Sequence, residues 1–479
     1  MKRVPLAMMA VAGLLLAACA DHYDGNETWS SSVRNQALAS PNADDITITP
    51  NATGDKQTIA WPVVMGAGGY AFQLLDVGDE NNPRVIAEKT IDGCSVVVDR
   101  EEDVNYRISL RTLGNAELNN TEAASACVKD FTTFTETFAT IEPGDLAQWF
   151  LDHPIPEDSV GVNLNYDLQA GGEYTLSQDL DFGNHIVTLR STSKESHAKI
   201  VYSGDYSIIT STGMTMKYLD FDCTASAKSP VFQLSTTPDE SIKGASGKGD
   251  YYNIFYNWTL MSCNFEGVNY QLFYDGDKKY CLETMTISNC NVHLTTDAQT
   301  NINGNAIIYF KTGFANYTYI QNSTFWNTGD GAARYFLQHG NNNRCDRASD
   351  DYLYNLVSYK NNTFYNLKCS QWSNYSGFAG RAASQWVCTN NIFYECGSQV
   401  ARRLLGGRTA STYPSISFNN NTYWVDGEAE NPESVGTYDT GILLQTDPAF
   451  VDAPNGNLTP TGAEQLEKRT GDPRWLTEQ

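Results

Sequence analysis

The sequence predicts an all-β protein in two parts, a small β-sandwich followed by a right-handed parallel β-helix. Three observations predict it. Between residues 262 and 424 a short pattern returns six times, as S-C-N-F-E, N-C-N-V-H, N-S-T-F-W, N-N-T-F-Y, N-N-I-F-Y and N-N-T-Y-W. Its fourth positions, Phe265, Val292, Phe325, Phe364, Phe393 and Tyr423, are 27, 33, 39, 29 and 30 residues apart. A period of that length means stacked repeats. Each copy is short, β-prone and bounded by Asn, Gly and Ser, so each is one strand of a coil and not one helix. Finally, residues 44–136 carry short apolar or alternating runs, parted by turn residues at the spacing of a sandwich.

Taken in order, residues 1–18 read as a targeting segment. Lys2 and Arg3 precede an apolar run over residues 4–16 that is too short to span a membrane. The run ends in Leu16-Ala17-Ala18-Cys19, which resembles a bacterial lipobox. The resemblance implies cleavage before Cys19, acylation of that Cys and anchoring without a transmembrane helix. Residues 19–43, rich in Asp, Asn and Ser, read as a flexible tether. Asp21 and Asp24 behind the Cys resemble a surface-export signal of lipoproteins in glycan-uptake systems.

In the sandwich, Tyr70-Ala71-Phe72-Gln73-Leu74 and Tyr106-Arg107-Ile108-Ser109-Leu110 alternate as half-buried strands do. Trp61, Gly69-Tyr70 and Asn105-Tyr106-Arg107-Ile108 resemble a fibronectin type III domain, which implies a spacer or platform. Residues 137–479 are assigned to the β-helix and its end caps, with coils from about residue 160 to 460. Asp145-Leu146-Ala147-Gln148-Trp149-Phe150-Leu151 has helical spacing and is expected to cover one open end. Residues 236–250 read as a loop, and residues 447–475 are expected to close the far end.

Within the repeats, Asn289, Asn322, Asn361, Asn390 and Asn420 suit left-handed corners, and their amides are expected to stack. The fourth positions should point inward as an aromatic stack. The fifth, among them His293, Trp326, Tyr365, Tyr394 and Trp424, should point outward. Asn corners and aromatic stacks resemble the pectate-lyase-type β-helix superfamily. The tail motifs D-P-A-F-V-D, N-G-N-L and G-D-P-R-W resemble uncharacterised β-helix lipoproteins of polysaccharide-utilisation systems.

The formal net charge is −24, which argues against nucleic acid as a partner. Eleven cysteines include Cys94 and Cys127, a candidate bridge, and Cys263 and Cys290, which are either a stacked bridge or two packed thiols. Residues 334–408 run against the overall charge. Arg334, Arg344, Arg347, Lys360, Lys368, Arg381, Arg402, Arg403 and Arg408 face only Asp346, Asp350, Asp351 and Glu395, a balance of 9 − 4 = +5. Gathered on one face, they would focus an anionic ligand. Trp326, Tyr365, Tyr394 and Trp424 would offer ring faces to sugars on the same coils.

The favoured function is binding of an acidic, pectin-like polysaccharide by a surface-exposed outer-membrane lipoprotein, with a glycan-import porin as a further partner. The site would comprise Trp326, Arg334, Tyr365, Tyr394, Arg402, Arg403, Arg408 and Trp424. The runner-up is a uronate lyase. The resemblance would then place Ca²⁺ on Asp346, Asp350 and Asp351, with Arg381 or Arg402 as base. Neither W-x-D-H nor R-x-P-x-x-R, marks of one large pectate lyase family, occurs. A purely structural or adhesive surface protein is the third reading.

Overall fold

The computed structural model describes residues 33–246, 249–296, 305–340, 355–374, 384–406 and 415–476. Cys19, the targeting segment and most of the tether lie outside the described residues. The chain forms two compact units, divided between Thr133 and Phe134 apart from residues 78–80, which group with the second.

The first unit is a two-sheet antiparallel sandwich. Thr47–Pro50, Lys56–Ala60 and Ser95–Asp99 form one sheet. Arg84–Ile91, Tyr70–Asp76, Asn105–Thr112 and Cys127–Thr132 form the other. Alternate residues of Tyr70–Asp76 are buried, as the pleat requires. Trp61 packs edge-on to Tyr70 at 5.4 Å and face-on to Phe72 at 6.1 Å in the core. Arg84–Ile91 and Cys127–Thr132 carry weak patterns because they are edge strands with charged residues and little burial. Two expectations are corrected here. Cys94 and Cys127 are free thiols. The tether ends early: Asn35 and Leu38 donate backbone hydrogen bonds to Leu118 and Thr121, and Leu38 is buried.

The second unit is a right-handed parallel β-helix, the hand that nearly all crossovers between parallel strands take. Its coils stack into two twelve-stranded sheets and a seven-stranded one. The first sheet begins at Ala139–Ile141, about two dozen residues earlier than the periodicity suggested, because the first coils lack the Asn pattern. A helix over Leu146–Asp152, capped by Asp145, buries Leu146, Ala147 and Phe150 against the first coils. Residues 236–250 are not a plain loop. Lys243–Ser246 and Gly249–Ile254 pair as a hairpin whose second strand joins the first sheet.

All six repeat copies fall in one column of the second sheet, in the register Phe265–Val292–Phe325–Phe364–Phe393–Tyr423. The rings stack inside at 5.6, 5.1 and 5.2 Å from Phe325 to Tyr423. A seventh copy, Leu219–Asp222, places Phe221 4.7 Å from Phe265. Tyr218 stands at its corner in place of Asn. From the coil of Leu219–Asp222 onward the corners from the first to the second sheet are left-handed, at Tyr218, Ser262, Asn289, Asn322, Asn361, Asn390 and Asn420. Asn361 donates to Asn322 at 3.0 Å, Asn390 to Asn361 at 3.0 Å and Asn420 to Asn390 at 3.2 Å.

A second amide column runs inside. Asn362, Asn391 and Asn421 are fully buried. Their Nδ2 groups donate to Ile320, Tyr359 and Cys388 carbonyls, and their Oδ1 atoms accept from the backbone N–H of Ser323, Asn362 and Asn391. These are backbone groups that the sharp corner would otherwise leave unpaired in the core. The column ends on Asp439, which accepts from Asn421 at 3.0 Å and from the Tyr423 hydroxyl at 2.9 Å. Cys263 and Cys290, buried free thiols, hold the equivalent places in earlier coils.

The far end differs from expectation. Val435, on the helix Pro432–Gly436, and Tyr438 close the core there. The tail instead folds back over the outside of the second sheet. Gly471 donates to Asn390, Asp472 bonds Thr324 and Thr363, and the Trp475 indole donates to Thr324.

Replacing Asn391 by Ala should cost about 3 kcal/mol, because it strands a buried N–H and a buried carbonyl. Replacing the half-buried corner Asn361 by Ala should cost under about 1 kcal/mol. Urea-denaturation midpoints of the two variants test the difference. Equal losses would mean that the inner column carries no special share of stability.

Candidate functional site

The residues expected to form a ligand strip are placed on the fold as follows. Trp326 points out of the second sheet but is only 9% exposed. It stacks on His293 at 3.8 Å and lies under Ala453, Leu458 and Gly456 of the returning tail. Tyr365 and Tyr394 stack at 5.3 Å and meet Phe450 of the same tail at 6.0 and 5.4 Å. Trp424 is half-buried. The open aromatic strip expected from the repeat is therefore covered over its middle coils. Such a row of rings is a large apolar surface, and the chain's own tail removes it from water.

The five described basic residues do not share one groove. Lys360 ends a strand of the first sheet, beside the Asn361 corner. Lys368 occupies a left-handed turn after the second sheet. Arg334 leads into the third sheet, with its guanidinium 5.1 Å from the Tyr335 ring. Arg402 and Arg403 lie on the helix Val400–Leu404, which replaces a third-sheet strand, and Arg402 donates to Gln399. Arg344, Arg347, Arg381, Arg408, Asp346, Asp350 and Asp351 lie outside the described residues. No group of three or more His, Cys, Asp or Glu suited to a metal occurs among the described residues.

A different face gathers binding chemistry. Outward positions of the third sheet follow the register Gln233–Tyr274–Tyr309–Gln338–Asn374. Coil spacing of about 4.8 Å separates successive rungs. Tyr274 and Tyr309 stack at 5.6 Å. With Lys228, Tyr270, Gln271, Asn305 and Lys311 they line a depression of about 370 Å³. Arg334 sits one coil beyond, its backbone N–H bonded to the Asn305 carbonyl. The face thus offers ring surfaces, amides and cations at coil spacing.

What lies beneath fixes that face. Asp275 is fully buried behind Tyr274 and accepts from the Thr312 and Gly313 N–H groups at 2.8 and 2.7 Å. Burial pushes its carboxyl up to about 6, against the opposing pull of those backbone bonds. Gly276 is left-handed, and a Cβ there would lie 2.3 Å from the Leu234 carbonyl. Burial also raises the phenols of Tyr274 and Tyr309, so both rings stay neutral donors. Lys311 is tied to Asp277 at 2.6 Å. Ring stacking and hydrogen bonding are what this arrangement supplies.

Sequence reasoning missed this face. Its strands are as short as Phe273–Tyr274, too short for alternation to show. The available signal was the repetition of an apolar pair and Tyr in L-F-Y-D and I-I-Y-F, one coil apart.

Three family models match the sequence, each described as a domain of unknown function: DUF4992 over residues 1–171, DUF4957 over residues 172–328 and DUF5123 over residues 357–475. No curated protein matches significantly. Among solved structures, pectate lyase PelI from Erwinia chrysanthemi in complex with tetragalacturonic acid is 9% identical, covering 85% of this chain and 100% of that one, with a TM-score of 0.20. Pectate lyase Pel3 from Pectobacterium carotovorum is 11% identical, covering 81% and 93%, also at a TM-score of 0.20. Likenesses this distant carry no argument about activity, and the β-helix assignment rests on the strand register above.

Asp275 makes stability depend on pH. Its folded value lies above the ordinary carboxylate value of 3.8, so its contribution is present below that value and is lost as pH rises through about 6. Between about pH 4 and about pH 7 the wild type should lose up to about 3 kcal/mol relative to Asp275→Asn. Parallel denaturation curves across that range would refute this assignment.

Proposed function

We propose that the chain is a surface glycan-binding lipoprotein whose third-sheet face holds a polysaccharide running along the helix axis. The observation that carries this reading is the ladder of Tyr274, Tyr309, Gln233 and Asn305, with Lys228 and Arg334 alongside. Rings at successive coils match a chain of successive sugars, and flat aromatic faces suit their apolar sides. Lys228 and Arg334 form no ion pair among the described residues and favour acidic units such as uronates. The reading keeps Arg334 from the expected site and replaces the covered Trp326 with Tyr274 and Tyr309. The sandwich, which we read as fibronectin type III-like, serves as a spacer, and Cys19 as the lipid anchor. A glycan-import porin is the partner this arrangement would serve.

The lyase reading finds no gathered set of base, acid and cation among the described residues. Arg402 is held by Gln399, and Asp346, Asp350, Asp351 and Arg381 lie outside those residues.

Affinity electrophoresis in polygalacturonate and neutral glycans tests the proposal. Tyr274→Ala and Tyr309→Ala should each weaken binding roughly three- to tenfold, on the order of 0.5–1.5 kcal/mol. Arg334→Ala should weaken binding to the acidic glycan alone, and added salt should do the same. Retardation unchanged in the Tyr variants would refute the site. Growing ultraviolet absorbance from unsaturated uronate would overturn binding in favour of cleavage. The anchor is tested separately: Cys19→Ala should move the protein from the membrane to the soluble fraction.

A further inference from the structure

The outer Asn ladder has a gap. Asn289 donates to Ser262 at 2.8 Å, and Asn322 accepts from Asn361, but no hydrogen bond joins Asn289 to Asn322. The gap borders a groove of about 400 Å³ along the corner between the first and second sheets. His197, Tyr218, Ser262, Asn264, Asn289 and Arg474 line it, with Lys194 and Glu195 at its edge. A volume in this range suits one small ligand.

Its polar groups are held in place but not used up. Asp220 accepts from Asn264 at 2.7 Å and pairs with His197 at 2.8 Å. Burial raises the Asp220 carboxyl, but these two bonds outweigh it and hold it below the usual range. Arg474 gives its Nε to Asp472 at 2.6 Å, and neither terminal nitrogen has a partner among the described residues. Tyr218 walls the groove from a left-handed corner, φ 57°, an uncommon conformation for a bulky side chain. Charge decides the ligand. Asp220, Asp472 and Glu195 offset Arg474 and Lys194, so the groove has no excess of positive charge to hold an anion. Amides, a half-satisfied guanidinium and a carboxylate at close quarters instead suit hydroxyl groups, which both donate and accept.

We propose that this groove is a second saccharide site, which takes one neutral pyranose unit through its hydroxyls. Arg474 and Asn289 grip neighbouring hydroxyls, and Asn264, set by Asp220, meets a third. It stands apart from the third-sheet face in both location and charge preference. A glycan with an acidic backbone and neutral branches would engage both.

Saturation-transfer NMR on the full chain with galactose, arabinose, rhamnose and galacturonate tests the proposal. At least one neutral sugar should bind saturably, and galacturonate more weakly. Asn289→Ala, at an exposed position, and Arg474→Gln should each reduce that binding roughly tenfold. Loss of single-sugar binding in Asn289→Ala and Arg474→Gln is read separately from loss of polymer retardation in Tyr274→Ala and Tyr309→Ala, so this site and the third-sheet face can fail separately. Circular dichroism melting checks that each variant is folded. No saturable binding by any neutral sugar, binding undiminished in folded Asn289→Ala, or a preference for galacturonate would each overturn the proposal.

Discussion

Each coil of this solenoid must turn a sharp corner without leaving a backbone group unpaired in a dry interior. Apolar side chains fill that interior, so an unpaired N–H or carbonyl carries its full desolvation cost. The inner amide column answers that demand. Asn362, Asn391 and Asn421 each spend Nδ2 on a carbonyl and Oδ1 on an N–H of the preceding turn. The aromatic stack follows from it, because corners held in register keep Phe325, Phe364, Phe393 and Tyr423 above one another. So does the ladder of outward residues on the third sheet, where a slip of one position would turn Tyr274 and Tyr309 inward.

The two faces show how one architecture handles outward rings in opposite ways. On the second sheet, Trp326, Tyr365 and Tyr394 are met by Phe450, Leu458 and Trp475 from the tail. On the third sheet, Tyr274 and Tyr309 sit among Gln, Asn and Lys, half-buried and reachable. The difference lies in the neighbours and not in the rings. An aromatic row flanked by aliphatic and aromatic partners is packing surface, and one flanked by amides and cations keeps ring faces and polar groups together at the surface.

The corners and the stack were legible because their chemistry is local. Asn at a left-handed position and an aromatic three residues later recur in plain view from 322 to 423. Tyr218 was illegible because it occupies the same corner without the same letter. The tail's course was illegible for another reason. Asp472 bonds Thr324 across 148 residues of sequence, and no periodicity records such a contact. The basic run of residues 334–408 misled because charge clustered in sequence is dealt out to different sides of a solenoid, as Lys360 and Arg402 show. The third-sheet face was hidden by strands of only two to four residues.

The returning tail also imposes an order of events. Coils of a solenoid contact only their neighbours, so they can assemble one after another as the chain appears. The face carrying Trp326, Tyr365 and Tyr394 is complete once the strand at Ile392–Tyr394 has docked. Yet it remains wet and adhesive until residues 450–475 arrive. Residues 450–475, which follow in sequence the coils they cover, therefore act as a completion seal: a chain interrupted before them displays a sticky stripe, and one that carries them does not. Loss of those residues would be felt first as aggregation, with the coils beneath still correctly wound.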